Sequence, residues 1–161
     1  MATPQYLYSP FYPVEAPVAT AQAITVGDLV GMVAGTLKTA ADTTWNNNLL
    51  TTQEDFASVF LGAAAQTKAA NLARILGNSD DNIIRVDTAG EWEYDCDSGT
   101  YGVGAKLGAA KASGNALLSN KLAAVTATNA AVAVCVQTKY NATRIRVRIL
   151  SNLCPLARPI Y

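Results

Sequence analysis

The chain has 161 residues with 12 Lys+Arg, 12 Asp+Glu and no histidine. A neutral chain lacks the excess positive charge that displaces counterions from nucleic acid. Without histidine there is no Ser-His-Asp or Cys-His pair and no imidazole base or ligand.

No segment reaches the ~20 apolar residues of a membrane helix. Residues 1–18 lack the basic and apolar regions of a signal peptide. The expectation is a chain made in the cytoplasm, with neither a membrane nor a nucleic acid as partner. A domain of this size buries about 68–70% of its unfolded surface, so it needs no disulfide or metal to fold. Half the residues are hydrophobic, but many are Ala, which buries little area. The core must rest on Val, Ile, Leu and a few aromatics.

Residues 1–22 stand apart. Pro4, Pro10, Pro13 and Pro17 punctuate a stretch that carries Tyr6, Tyr8, Phe11 and Tyr12. Proline fixes φ and removes a donor, so neither a helix nor a central strand fits. An extended arm near polyproline II is expected. It folds back on its own domain, forms a partly disordered terminus, or reaches a neighbouring subunit.

The body, residues 23–151, opens with a strand over 24–33, a turn at Ala34-Gly35 and a return strand over 36–38. Residues 39–51 read as a polar loop. Thr51 and Glu54 have the spacing of a capping box, which predicts a short helix over about 52–60 with Phe56 and Phe60 on one face. Residues 61–67 form a strand, or a helix continues over 62–76. Strands follow at 83–86 and 91–97 around a turn at 87–90, with Ser98-Gly99 as a break. Residues 103–107 are a short apolar run. Residues 116–123 suggest a tight hairpin about Ser119-Asn120. Residues 132–138 and 144–150 make a last pair about a turn at 140–143. Residues 152–161 read as a docked C-terminal extension.

Many short strands at close spacing predict a mainly β protein. It would be a small β-barrel or β-sandwich with one short helix and the extended N-terminal arm. Cys96 and Cys135 fall in apolar strand patterns and read as core thiols. With Cys154 they form no C-x-x-C pair.

Two charged rows are the sequence's main signal. Alternate residues of a strand share a face. Glu91, Glu93, Asp95 and Asp97 therefore line one face, with Trp92, Tyr94 and Cys96 on the other. Arg144, Arg146 and Arg148 mirror this, with Ile145, Val147 and Ile149 facing inward. The acidic row has several readings. It is a solvated face, a glycosidase-like carboxylate pair, a calcium site, which a straight strand splays, or one half of a complementary pair. The pair would meet within the domain as neighbouring strands or across subunits. No catalytic residue, cofactor or metal is expected. The candidate protein-interface residues are Tyr6, Tyr8, Phe11, Tyr12, Glu91, Glu93, Asp95, Arg144, Arg146 and Arg148.

An ordered series of phrases resembles the capsid cement (head decoration) proteins of tailed phages. It starts with Ile24-Thr25-Val26-Gly27-Asp28-Leu29-Val30 and continues with Phe56-Ala57-Ser58-Val59-Phe60-Leu61-Gly62. It runs on through Ile84-Arg85-Val86-Asp87-Thr88-Ala89-Gly90-Glu91-Trp92-Glu93-Tyr94-Asp95-Cys96. Gly102-Val103-Gly104, Leu107-Gly108 and Ala112-Ser113-Gly114-Asn115-Ala116-Leu117-Leu118 come next, and Thr143-Arg144-Ile145-Arg146-Val147-Arg148-Ile149 closes it. The resemblance covers about four-fifths of the chain and leaves out the aromatic arm. It implies a compact β-barrel or sandwich on the outer surface of the virion's capsid, made in the host cytoplasm. The implied partner is the major capsid protein. Homo-oligomers, dimer or trimer, would bridge adjacent capsomers. The alternatives are another virion β-protein, such as a tail-tube or head-completion component, and a carbohydrate-binding module.

Overall fold

A computed structural model describes residues 3–8, 13–70 and 82–152. The described residues form eleven strands and one α-helix: β1 (Gln5–Tyr8), β2 (Pro13–Pro17), β3 (Leu29–Val33), β4 (Thr36–Thr39), α1 (Leu49–Val59), β5 (Phe60–Ala64), β6 (Ile83–Asp87), β7 (Glu91–Tyr101), β8 (Lys106–Lys111), β9 (Leu117–Ala124), β10 (Ala133–Cys135) and β11 (Lys139–Ile149). The mainly β expectation holds, and the architecture is a closed barrel joined to a second antiparallel sheet.

In the barrel, β7, β11, β10, β8 and β9 pair in that order, and β9 returns to β7. The closing contact is parallel, with Asp95 opposite Lys121 and Cys96 opposite Leu122. Alternation supplies the interior. Trp92, Tyr94 and Cys96 from β7 meet Leu107 and Ala109 from β8, Leu117 and Leu122 from β9, and Ile145, Val147 and Ile149 from β11. Closure leaves no open edge within the ring.

The second sheet has the order β2-β6-β5-β3-β4. A single parallel bridge between Val18 and Leu37 draws its two outer strands together. Val18, Ile24, Val30, Leu61, Ile84 and Val86 fill the curl. The β3–β4 turn needs two left-handed residues, and Ala34 (φ 50°) and Gly35 (φ 81°) supply them. Helix α1 joins the two parts. Phe56 and Phe60 pack edge-on at 5.7 Å within the barrel cluster. The buried Gln53 amide donates to the Ala109 carbonyl at 2.7 Å.

Residues 83–93 cross from one sheet to the other, with β6 in the second sheet and β7 in the barrel. The link between them is buried, so it is a crossing point rather than a surface turn. The N-terminal segment follows this crossing antiparallel along its length. Gln5 lies opposite Glu93 and Tyr8 opposite Glu91. Pro13 lies opposite Asp87 and Pro17 opposite Ile83. Pro4 is buried and seals against Gly27, where a Cβ would come within 2.6 Å of the proline ring.

Of the arm, Gln5–Tyr8 and Pro13–Pro17 are extended, but as hydrogen-bonded edge strands rather than polyproline II. Pro13 and Pro17 sit at the two ends of β2, where a missing donor costs least. Ala16 and Val18 are 4% and 2% exposed, so this segment belongs to the core of the second sheet.

Several boundaries differ from the sequence reading. The helix begins at Leu49, and its cap is Asn48, whose side chain accepts from the Thr51 amide at 3.0 Å. Thr51 lies inside the helix. The ambiguous stretch at 61–67 opens as strand β5. The continued-helix alternative to residue 76 runs into residues 71–81, outside the described residues. Ser98-Gly99 does not interrupt β7, which runs to Tyr101 against β11. Val103 is 69% exposed in a turn, and the strand starts at Lys106. Ser119-Asn120 is not a hairpin turn. β9 is one strand that must reach both β8 and β7 to close the ring. Residues 140–143 are inside β11, where Asn141 takes φ 49° and the register slips twice. That local irregularity reads as a turn in sequence because a bulge uses the same residues. Cys154 and the rest of the C-terminal extension beyond Asn152 lie outside the described residues.

Candidate functional site

The two charged rows meet face to face. β7 and β11 are neighbours, with Arg144 opposite Asp95, Arg146 opposite Glu93 and Arg148 opposite Glu91. Of the two arrangements open in the sequence, the rows adopt pairing within the domain. Arg144 is the most enclosed of the three, with 20% of its side chain exposed. Its guanidinium lies 3.2 Å from Asp95 and 3.4 Å from Glu93. Arg148 reaches Glu91 at 3.1 Å, and Arg146 lies 4.0 Å from the same carboxylate. Beyond the row, Lys121 of β9 bonds Asp97 at 2.7 Å. That hydrogen bond, together with the Asp97 charge, raises the Lys121 ammonium above its ordinary value.

Glu91, Glu93 and Asp95 each have a guanidinium within 4.0 Å. Cross-strand opposite-charge pairs contribute roughly 0.2–1 kcal/mol each, and here they hold the register of β7 against β11. Arg144 also fastens the N-terminal segment, because its Nη2 donates to the Thr3 carbonyl at 2.8 Å. One side chain thus joins β11, β7 and the strand laid beside them.

The aromatic half of the candidate interface divides. Tyr6 and Tyr8 fall in β1, opposite Trp92 and Glu91. Phe11 and Tyr12 lie outside the described residues. Trp92 and Tyr94 are 1% and 0% exposed, so neither forms a sugar-stacking platform. The exposed large apolar side chains among the described residues are Val33, Leu50, Val103 and Tyr140. A groove of about 460 Å³ lies under Val33, between Lys38, Asp42, Asp55 and Phe56.

Three further features bear on the site; the core position of Cys96 was legible in the sequence, whereas the other two had little or no signal. The first is Lys68, 2% exposed and discussed below. The second is the Cys96 thiol, which burial pushes up, as expected of a core thiol rather than a nucleophile. The Tyr101 hydroxyl next to it is pushed up to about 12, mainly by burial. The third is the junction where Tyr94 donates to the Gly27 carbonyl at 2.6 Å. Burial, then the charge of Asp28, holds that hydroxyl well above its ordinary value. Asp28 accepts from the Thr25 amide at 2.9 Å.

Burial is also the main reason the Asp28 carboxyl is raised above its ordinary 3.8, with Asp42 adding to it. A raised carboxyl means that the folded state holds its proton more tightly than the unfolded chain. Its stabilising contribution is full below the unfolded value near 3.8 and is lost as pH rises through the folded value. Asp28→Asn keeps an acceptor for Thr25 and never ionises. It is expected to melt a few degrees higher than the parent at pH 7 and to lose that advantage near pH 3. Thermal melts across this range check it, and a variant less stable at pH 7 would count against the assignment.

No protein-family model matches the chain, and no curated protein matches it.

Proposed function

We propose that the chain is a capsid cement protein, a structural virion component that binds the outer surface of an assembled phage head and bridges capsomers. The observation that carries this reading is how the phrases of the resemblance meet in space. The Gly27-Asp28 step is tied to the Glu91–Cys96 phrase by the buried Tyr94 bond to Gly27. That same phrase pairs residue for residue with the closing Arg144–Ile149 phrase. Gly62, from the helix-to-strand phrase, lies directly on the Asp87 backbone. Phrases far apart in sequence thus form one contiguous unit.

The physical logic of cement suits such a unit. A protein that binds only the assembled lattice stabilises that state by linkage. Many copies act together even if each is weak. Its partners on this reading are the major capsid protein and further copies of itself.

The test uses the full chain. Deleting residues 1–22 would remove β1, β2 and two core side chains, so loss of binding would report unfolding. The purified protein is mixed with expanded, undecorated heads and sedimented. Saturable co-sedimentation with a higher head melting temperature is expected. Absence of binding overturns the reading, and rings or tubes formed by the protein alone would favour the tail-tube alternative.

A further inference from the structure

We propose that the main-chain carbonyls of Ala19, Thr20, Gln22 and Ala69 form a binding site for a primary ammonium ion, which the chain's own Lys68 side chain fills. The inference does not depend on the capsid reading.

Four oxygens converge on one nitrogen. The Lys68 Nζ lies 3.0 Å from the Thr20 carbonyl, 3.1 Å from that of Gln22, and 3.3 Å from those of Ala19 and Ala69. These separations suit N–H donors. A calcium ion would draw its oxygens to about 2.3–2.6 Å and a magnesium ion to about 2.0–2.1 Å, and both favour carboxylates. The four oxygens that hold Lys68 are all neutral carbonyls. The set therefore fits a singly charged ion that donates hydrogen bonds, and an alkylammonium is the class that does both.

Contacts other than the Lys68 side chain hold the oxygens in place. On one side Val18 is 2% exposed and bridges Leu37. On the other, Ile24 is buried and exchanges two backbone bonds with residue 68. Between these anchors the Gln22 backbone amide donates to the Ala19 carbonyl at 2.9 Å. The Asn82 side chain donates to the Thr20 hydroxyl at 3.1 Å, and the Gln22 side chain donates to Asp42 at 2.8 Å. None of these bonds uses the Lys68 Nζ. A site placed in advance binds at a lower ordering cost.

The site also lies near the surface. Thr20, Ala21 and Ala69 are exposed around the buried Lys68, so a small ion can reach the space once that side chain is cut back. Truncation to alanine removes three carbons and the nitrogen, which is the outline of n-propylammonium. That ion should take the place of the missing side chain.

The test is chemical rescue of Lys68→Ala in the full chain. The variant is melted in n-propylammonium chloride and, at matched concentration, in tetramethylammonium chloride, whose cation carries the charge but no N–H. Its melting temperature is expected to rise with n-propylammonium, by roughly 3–5 °C for each tenfold above the dissociation constant, and not with tetramethylammonium. The parent, whose site is filled, and Lys68→Met, whose side chain fills the same space, should not distinguish the two salts. If Lys68→Ala does not fold in plain buffer, the same comparison is read as the yield of refolded protein. Equal behaviour of Lys68→Ala in the two salts, including failure to refold in both, overturns the proposal. An n-propylammonium effect of the same size on Lys68→Met overturns it too, because the ion would then be acting elsewhere.

Discussion

Lys68→Met is expected to destabilise the protein by about 1–3 kcal/mol, the range for leaving buried acceptors without their donor. Lys68 is 2% exposed. Its ammonium lies 3.0–3.3 Å from the carbonyls of Ala19, Thr20, Gln22 and Ala69. Three N–H groups serve four acceptors, so one bond is shared. The Lys68 backbone pairs with Ile24 in both directions, at 2.8 and 2.9 Å, and the side chain folds over the loop that enters β3. The carbonyls neutralise part of the cost of burying the charge, since hydrogen bonds to a charged group contribute about 1.5–3 kcal/mol. Methionine matches the length but donates nothing, so it leaves the carbonyls without that donor. Urea unfolding at neutral pH measures the loss. A change under about 0.5 kcal/mol, the range of ordinary surface substitutions, would mean that the carbonyls find water instead.

Gly62→Ala is expected to cost about 3 kcal/mol, at the upper end of overpacking penalties. Gly62 is in β5, opposite Val30. A Cβ there would collide with the Asp87 carbonyl oxygen and come within 3.1 Å of the Thr88 Cα. Both obstacles are backbone, so no rotamer change relieves them. The substitution would push β5 away from the point where residues 83–93 cross between the sheets. Gly102→Ala is the matched control, because a Cβ there meets nothing within 4 Å. Equal stability of the two variants would show that β5 and the crossing can separate without cost.

Much of this was legible in the sequence, for identifiable reasons. The strict alternation of 91–97 and 144–149 predicted both the inward set and the charged rows, because period two needs no tertiary information. It did not say that the rows were neighbours, since pairing joins residues about fifty positions apart. The hairpin expected at Ser119-Asn120 failed because two polar residues imitate a turn when a strand serves two partners. Asn48 was overlooked as a cap because the triple asparagine reads as loop throughout. Lys68 had no pattern at all, since a buried lysine is identified only by the carbonyls around it. The arm's prolines excluded a helix and a central strand, but the polyproline II expected from them gave way to edge pairing, which depends on strands far along the chain.

The crossing strand also fixes an order of events during synthesis. Gln5 is made before its partner Glu93, which follows 88 residues later. At ~5–20 residues per second that is a wait of roughly 4–18 s. Through that interval Tyr6 and Tyr8 have no strand to pair with, and neither sheet has its central crossing. β1 therefore cannot be seated until every strand of the second sheet has been made. On a crowded polysome, neighbouring nascent chains would carry the same unpaired segment at the same time.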